Sequence, residues 1–237
     1  MKYFFSLMRE YIFPSGCAIC DGMLLDKREV WLGLCGNCQN TFILEKEIRC
    51  SQCGRPLISE LDTCLECRNK ETHYLDKLVS LFPYIGNYEK LLKSYKFEKH
   101  LAVGNFLVEK MQEGLNLFSA CTFENPVLVP VPPRAGKIKH SGWDQIDYLA
   151  NLIKKENKSF FPMRKCLKRL PSKSQKELNK EKRKTNLFGR IKVVGKVPKE
   201  VILFDDVITT GSTLETCAVT LKNAGAEKVY GFCFFYK

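Results

Sequence analysis

Eight of the twelve cysteines fall into four C-x2-C pairs: Cys17 and Cys20, Cys35 and Cys38, Cys50 and Cys53, Cys64 and Cys67. A C-x2-C turn points both sulfurs the same way, and two such turns surround one ion tetrahedrally. Zinc is the usual occupant of a closed four-sulfur site, and such a site keeps no open position for catalysis. Four pairs therefore imply two structural zinc ions. Spacing alone leaves the pairing order open between sequential and interleaved. A disulfide framework needs an oxidising compartment, and the apolar, aromatic start of the chain lacks the basic start and cleavage site of an export signal. Redox pairs and ferredoxin-type clusters fit the spacings less well.

A second constellation lies near the other end: Val201-Ile202-Leu203-Phe204-Asp205-Asp206-Val207-Ile208-Thr209-Thr210-Gly211-Ser212-Thr213. An apolar strand runs into two adjacent carboxylates, then into a small, hydroxyl-rich turn that opens a helix. Thr209, Thr210, Gly211, Ser212 and Thr213 gather backbone N–H groups and hydroxyls around one point, which makes a phosphate cradle. Asp205 and Asp206 lie within reach of sugar hydroxyls. A phosphate and a vicinal diol bound side by side describe a ribose 5-phosphate. The plainer alternative is a strand ending in an acidic turn, with Thr209 or Thr210 capping a helix.

The elements that position these groups follow from periodicity. Leu78–Ile85 is strand-like, with Pro83 marking an edge or a break. Tyr88–Tyr95 and Leu101–Leu117 carry helical spacing. Val127–Val131 is a short strand stopped by Pro132-Pro133. Ile146, Leu149, Ala150, Leu152 and Ile153 share one helix face, as do Leu214, Cys217, Ala218 and Leu221. Val201–Phe204 and Val229–Phe235 are strands buried on both faces. Alternating strands and helices predict an α/β fold with a mostly parallel sheet and helices on both faces. Ligands of such sheets bind beyond the carboxyl ends of the strands. The predicted division is residues 1–72, an N-terminal helix and the cysteine module, and residues 73–237, the α/β domain. The short stretches between the cysteines suit zinc ribbons, each pair forming a hairpin tip. They are too poor in apolar residues for a core of their own, so metal would supply most of their folding free energy.

Length and composition agree. The chain has 237 residues, 45% hydrophobic and 27% charged. That excludes a disordered chain or a fibrous repeat. No apolar run approaches a membrane span, so no membrane insertion and a cytoplasmic location are expected. The net charge is +12, and residues 164–199 hold fourteen basic residues against two acidic ones, which accounts for all of it. Such a stretch attracts a phosphorylated small molecule or nucleic acid, or is simply a solvated loop. His73, His100 and His140 stand alone and are expected to do no acid–base work.

The strand–Asp-Asp–turn pattern resembles the phosphoribosyl diphosphate (PRPP) motif of type I phosphoribosyltransferases. With the four cysteine pairs ahead of it, the chain resembles the ComF family of competence-associated proteins. Further carriers of the resemblance are Phe13-Pro14, Tyr84, Lys96, Val129-Pro130-Val131-Pro132, Gly142-Trp143-Asp144-Gln145, and the set Gln175, Arg183, Asn186 and Phe188. The resemblance implies that Thr209–Thr213 hold the 5-phosphate and that Asp205 and Asp206 act as catalytic and ribose-binding groups. It places Arg134 and Lys137 at the diphosphate, with magnesium arriving on PRPP, and makes Lys173–Asn186, with Gln175 and Arg183, a mobile loop over the site. It implies a possible pentosyl transferase, or a non-catalytic protein that senses PRPP or binds single-stranded DNA alongside competence-machinery proteins. The chain departs from the family at Ser141-Gly142-Trp143-Asp144-Gln145, where Arg-Gly-Phe-Asn-Gln is usual. That departure weighs against anion contacts there.

Overall fold

The structure is a computed structural model that describes residues 16–44, 47–57, 61–69, 73–119, 124–155, 161–171 and 190–237. The expected N-terminal helix, Phe13-Pro14, Gln175, Arg183, Asn186 and Phe188 lie outside the described residues.

Four parallel strands form the central sheet: β1 (Lys77–Pro83), β2 (Val127–Pro130), β5 (Glu200–Ile208) and β6 (Lys228–Tyr236), in the order β1-β6-β5-β2. Both inner strands are apolar on both faces because helices cover both. On one face lie α4 (Gly86–Lys96), α5 (Val103–Ser119) and α7 (Gln145–Lys155). Leu91, Tyr95, Phe106, Leu107, Ile146 and Leu149 of these helices pack with Ile202, Phe204, Phe232 and Phe234 of the sheet. On the other face α8 (Ser212–Asn223) sets Leu214, Cys217 and Leu221 against Val129, Val201, Leu203 and Val229. Pro83 closes β1, an edge strand, so its missing N–H costs no ladder bond.

Beyond the cysteine module, two short features escaped periodicity because they are too brief to show it. One is α6 (Lys137–Ser141). The other is an antiparallel pair, β3 (Leu167–Arg169) with β4 (Ile191–Val193), which joins the α8 side. Val201–Phe204 also continues as strand through Asp205 and Asp206 to Ile208, so the carboxylates sit on the strand and not after it.

The cysteine module has little core of its own, and its few apolar residues complete the core beneath the sheet. Ile19, Leu24, Leu32, Leu34 and Phe42 belong to the same cluster as α4, α5 and β1. Phe42 makes edge-on contacts with Phe82, Tyr88 and Phe106 at centroid distances of 5.7, 5.2 and 5.4 Å. Residues 49–54 cover the open edge of β1, which would otherwise present unpaired backbone groups. Leu78 N–H donates to the Ser51 carbonyl at 2.8 Å. Ser80 Oγ–H donates to the Gly54 carbonyl at 2.8 Å. Arg49 Nη1 donates to the carbonyls of Gly54 and Ser80, both at 3.1 Å.

Gly54 makes this approach possible. Its φ is +70°, and a Cβ there would stand 2.5 Å from Ser80 Oγ and 2.9 Å from Ser80 N. Gly54→Ala is expected to destabilise the chain by roughly 2–4 kcal/mol through left-handed strain and overpacking. Urea unfolding of the zinc-loaded protein checks this; a shift below about 1 kcal/mol would mean the edge contact is dispensable.

Candidate functional site

The cysteines resolve into two clusters in sequential order, Cys17, Cys20, Cys35 and Cys38, then Cys50, Cys53, Cys64 and Cys67. Within each, the four sulfurs lie within 4.8 Å of one another. Cys20 Sγ and Cys35 Sγ are 3.7 Å apart, as are Cys53 Sγ and Cys64 Sγ. A tetrahedron with Zn–S bonds of about 2.3 Å has sulfur–sulfur edges of about 3.8 Å, so the donor sets fit zinc. None of the described cysteines forms a disulfide.

Only the first pair of each cluster sits in a hairpin, closed by the Gly16–Met23 and Arg49–Pro56 bridges. The second pair starts a short helix instead, α2 (Gly36–Gln39) after Cys35 and α3 (Leu65–Arg68) after Cys64. One helical turn puts residues three apart on one face, so it presents both sulfurs together as a hairpin tip does. The first cluster is braced by α1 (Lys27–Leu32), whose N-cap Asp26 accepts from Glu29 N–H at 2.8 Å. Glu29 Oε1 then accepts from Gly36 N–H at 2.6 Å, which fixes the second pair. The Asp26-x-x-Glu29 spacing is a helix-start signal that could have revealed α1. Burial raises the thiols of Cys17 and Cys50, but backbone amides directed at the sulfurs outweigh it and bring both down to about 7.

The second site is a cleft of about 460 Å3 at the carboxyl ends of β2 and β5. Successive side chains of β5 point to opposite faces. Asp206 therefore shares its face with Ile202 and Phe204, and Asp205 with Val201 and Leu203. Each carboxylate meets a different set of partners. Asp206 Oδ2 accepts from Lys96 Nζ of α4 at 2.8 Å and from Gln145 Nε2 of α7 at 2.7 Å. Asp205 faces Cys217 of α8, Cys233 of β6 and Arg169 of β3. Burial, reinforced by neighbouring Asp206, pushes the Asp205 carboxyl up to about 8, while Asp206 N–H and Lys96 pull the other way.

The cations of the cleft are Lys96, Arg134, Lys137 and Arg169. Lys137 is engaged: its Nζ donates to Asp144 Oδ2 at 2.6 Å and to Gln145 Oε1. Asp144 is thus both an ion-pair partner and the cap of α7, since Oδ1 accepts from Ile146 and Asp147 N–H, each at 3.0 Å. The acidic residue at this position therefore serves helix capping and lysine placement. Arg134 and Arg169 have no carboxylate within ion-pair distance among the described residues. Arg169 was visible in the sequence only as one more basic residue; the antiparallel pair carries it into the cleft. Burial draws its guanidinium below the usual arginine value, and neighbouring Arg134 and Arg190 act in the same direction.

The turn from Thr209 to Thr213 lines a separate hollow of about 40 Å3 that adjoins Asp205. Gly211 caps α8 with φ +73°. Thr210 Oγ1 and Ser212 Oγ are 2.8 Å apart. The amides of the first turn of α8 lack intrahelical acceptors, as in any helix, and Ser212 N–H lies 3.4 Å from Thr210 Oγ1 within the turn that lines this hollow. The cleft and the hollow share Asp205 and Thr213.

Two outcomes follow from this geometry. Cys35→Ser is expected to lower zinc content from two ions per chain to one, measured by metal analysis, and acidification should release the remainder because protons compete for the thiolates. Asp205 binds its proton more tightly folded than unfolded, so stability is lost as pH rises from about 4 through about 8. Asp205→Asn is expected to abolish that loss, a difference of roughly 2 kcal/mol between pH 6 and pH 9 after allowance for solvent reaching the cleft. Equal slopes for both proteins in urea midpoints across that range would refute it.

Among the described residues, no helix is long and apolar enough to cross a membrane. The profile of a family described as a double zinc ribbon domain matches residues 8–68. The chain is similar to the Competence protein ComFC of Streptococcus pneumoniae, with 28% identity over 84% of this chain and 86% of that one. It is similar to the Competence protein F of Haemophilus influenzae, with 26% identity over 92% and 95%. It is also similar to the DNA utilization protein YhgH of Escherichia coli, with 24% identity over 85% and 89%. Two ribbon-type cysteine clusters packed on a parallel α/β sheet, and relatives matched along most of the chain's length, support its resemblance to the ComF family.

Proposed function

We propose that the cleft binds PRPP and that the protein serves the uptake or use of incoming DNA. The observation that carries the first part is the convergence on one sheet end of the Thr209–Thr213 turn, the Asp205–Asp206 pair and the cations Arg134 and Arg169. The 5-phosphate would take the first-turn amides and hydroxyls of α8. The ribose hydroxyls would face the two carboxylates. The diphosphate would lie toward Arg134 and Arg169, with Lys137 one ion-pair exchange away. Carboxylate and diphosphate oxygens are the hard donors magnesium takes, and magnesium would help neutralise the diphosphate. In a pentosyl transfer, Asp206, and Asp205 once it sheds its proton beside the developing cation, would stabilise positive charge on the sugar, and the arginines would neutralise the departing diphosphate. The second part is supported by the competence and DNA-utilization relatives.

A non-catalytic reading, in which the protein binds single-stranded DNA, is favoured by one feature. Lys168 of β3 and Lys192 of β4 are direct cross-strand partners, and both are exposed. Like charges opposed on a small sheet cost stability, and a polyanion would relieve that cost.

Calorimetry with PRPP and magnesium tests the proposal. Replacing Asp205 and Asp206 together with Asn should weaken PRPP binding roughly tenfold or more, about 1.4 kcal/mol or above, with single-stranded DNA affinity unchanged. Unchanged PRPP affinity in the double variant would remove the assignment. Release of diphosphate only when an acceptor is supplied would favour the transferase over the sensor.

A further inference from the structure

His73 stands alone in the sequence, yet it is packed between the two parts of the protein. Its Nε2–H donates to the carbonyl of Cys67, the last residue of the second cysteine cluster, at 2.9 Å. Its Nδ1 is buried, has no hydrogen-bond partner among the described residues, and lies 3.6 Å from Glu215 Oε1. The next amide, Tyr74 N–H, donates to Glu215 Oε2 at 2.8 Å. Glu215 belongs to the first turn of α8, and its own N–H donates to Gly211 O at 3.0 Å. Two residues further on, Asp76 Oδ1 accepts from Lys222 Nζ in the last turn of α8, at 2.9 Å. Residues 73–76 therefore grip α8 near both ends.

The grip at the first turn bears on the hollow at Thr209–Thr213. Thr209 and Thr210 are exposed, and the hydroxyl pair of Thr210 and Ser212 is internal to the turn. A carboxylate in the first turn of a helix repels an anion at the same N-terminus if it faces that anion. The Tyr74 amide instead holds Glu215 toward the linker, and the His73 ring, anchored to Cys67, packs against its other oxygen.

We propose that His73 and Glu215 are positioning residues through which the knuckle ending at Cys67 fixes the first turn of α8, and with it the Thr209–Thr213 turn. The proposal deepens the phosphate reading of that turn and rests on it. It makes the second cysteine cluster a structural part of the ligand site, while the first serves the core on the opposite face of the sheet. Any coupling of this kind is reciprocal: a phosphate on the turn also steadies the knuckle.

The test uses the full, zinc-loaded chain with His73→Ala, Glu215→Ala and Glu215→Gln, the last of which keeps an acceptor for Tyr74 N–H. Amide hydrogen exchange across residues 209–216 is read without ligand, and affinity is read with ribose 5-phosphate. Both alanine variants should keep two zinc ions, exchange roughly tenfold faster in that segment, and bind ribose 5-phosphate about fivefold or more weakly. Glu215→Gln should exchange as the unaltered protein does and bind at least as well. Unchanged exchange in both alanine variants overturns the proposal, and so does faster exchange with unchanged affinity. If the unaltered chain itself ignores ribose 5-phosphate, the phosphate reading of the turn fails, and with it the functional half of the proposal. Exchange would still decide whether the knuckle holds the helix.

Discussion

Two adjacent carboxylates at the end of a buried parallel strand must point to opposite faces of the sheet, and the arrangement around the cleft answers that constraint. Each face has to satisfy its own charge. On the face of Asp206, α4 and α7 supply Lys96 and Gln145. On the face of Asp205 no described residue makes a direct ion pair, and Arg169 stands farther off amid buried thiols, so this carboxyl holds its proton near neutrality. A single pleat thus gives chemically identical neighbours different surroundings, hydrogen-bonded on one face and buried among thiols on the other.

The same cleft shows how a departure from a familiar motif can be structural. Asp144 caps α7 with one oxygen and holds Lys137 with the other. Tyr95 O–H donates to the Gln145 carbonyl at 2.7 Å, which locks the start of that helix against α4. Lys96, Asp206, Gln145, Lys137 and Asp144 form one connected polar network, and every bond in it strengthens in the low dielectric between the helices. An anionic ligand would enter a site whose cations are already placed.

The ribbons are integral to the sheet's architecture. The first contributes Phe42 and its neighbours to the core under α4 and α5. The second closes the edge of β1, where Gly54 brings a metal knuckle to backbone contact. A cysteine module with little core of its own thereby completes a larger one.

Much was legible in the residues. Eight cysteines at fixed spacing named the metal ligands, because ligand chemistry is local. Apolar runs bounded by Pro132-Pro133 and Gly225 named the strands and helices, because burial on two faces leaves a continuous pattern. The turn after β5 could be identified for the same reason: its glycine and hydroxyls are consecutive. Tertiary structure alone decided the pairing order of the cysteines, the helical seats of the second pairs, the presence of Arg169 in the cleft and the service of Lys137 to Asp144. Lys96 meets Asp206 across 110 residues of chain, and His73 meets Glu215 only because residues 73–76 run along α8. No local pattern encodes such meetings; they arise where separately specified elements are packed together.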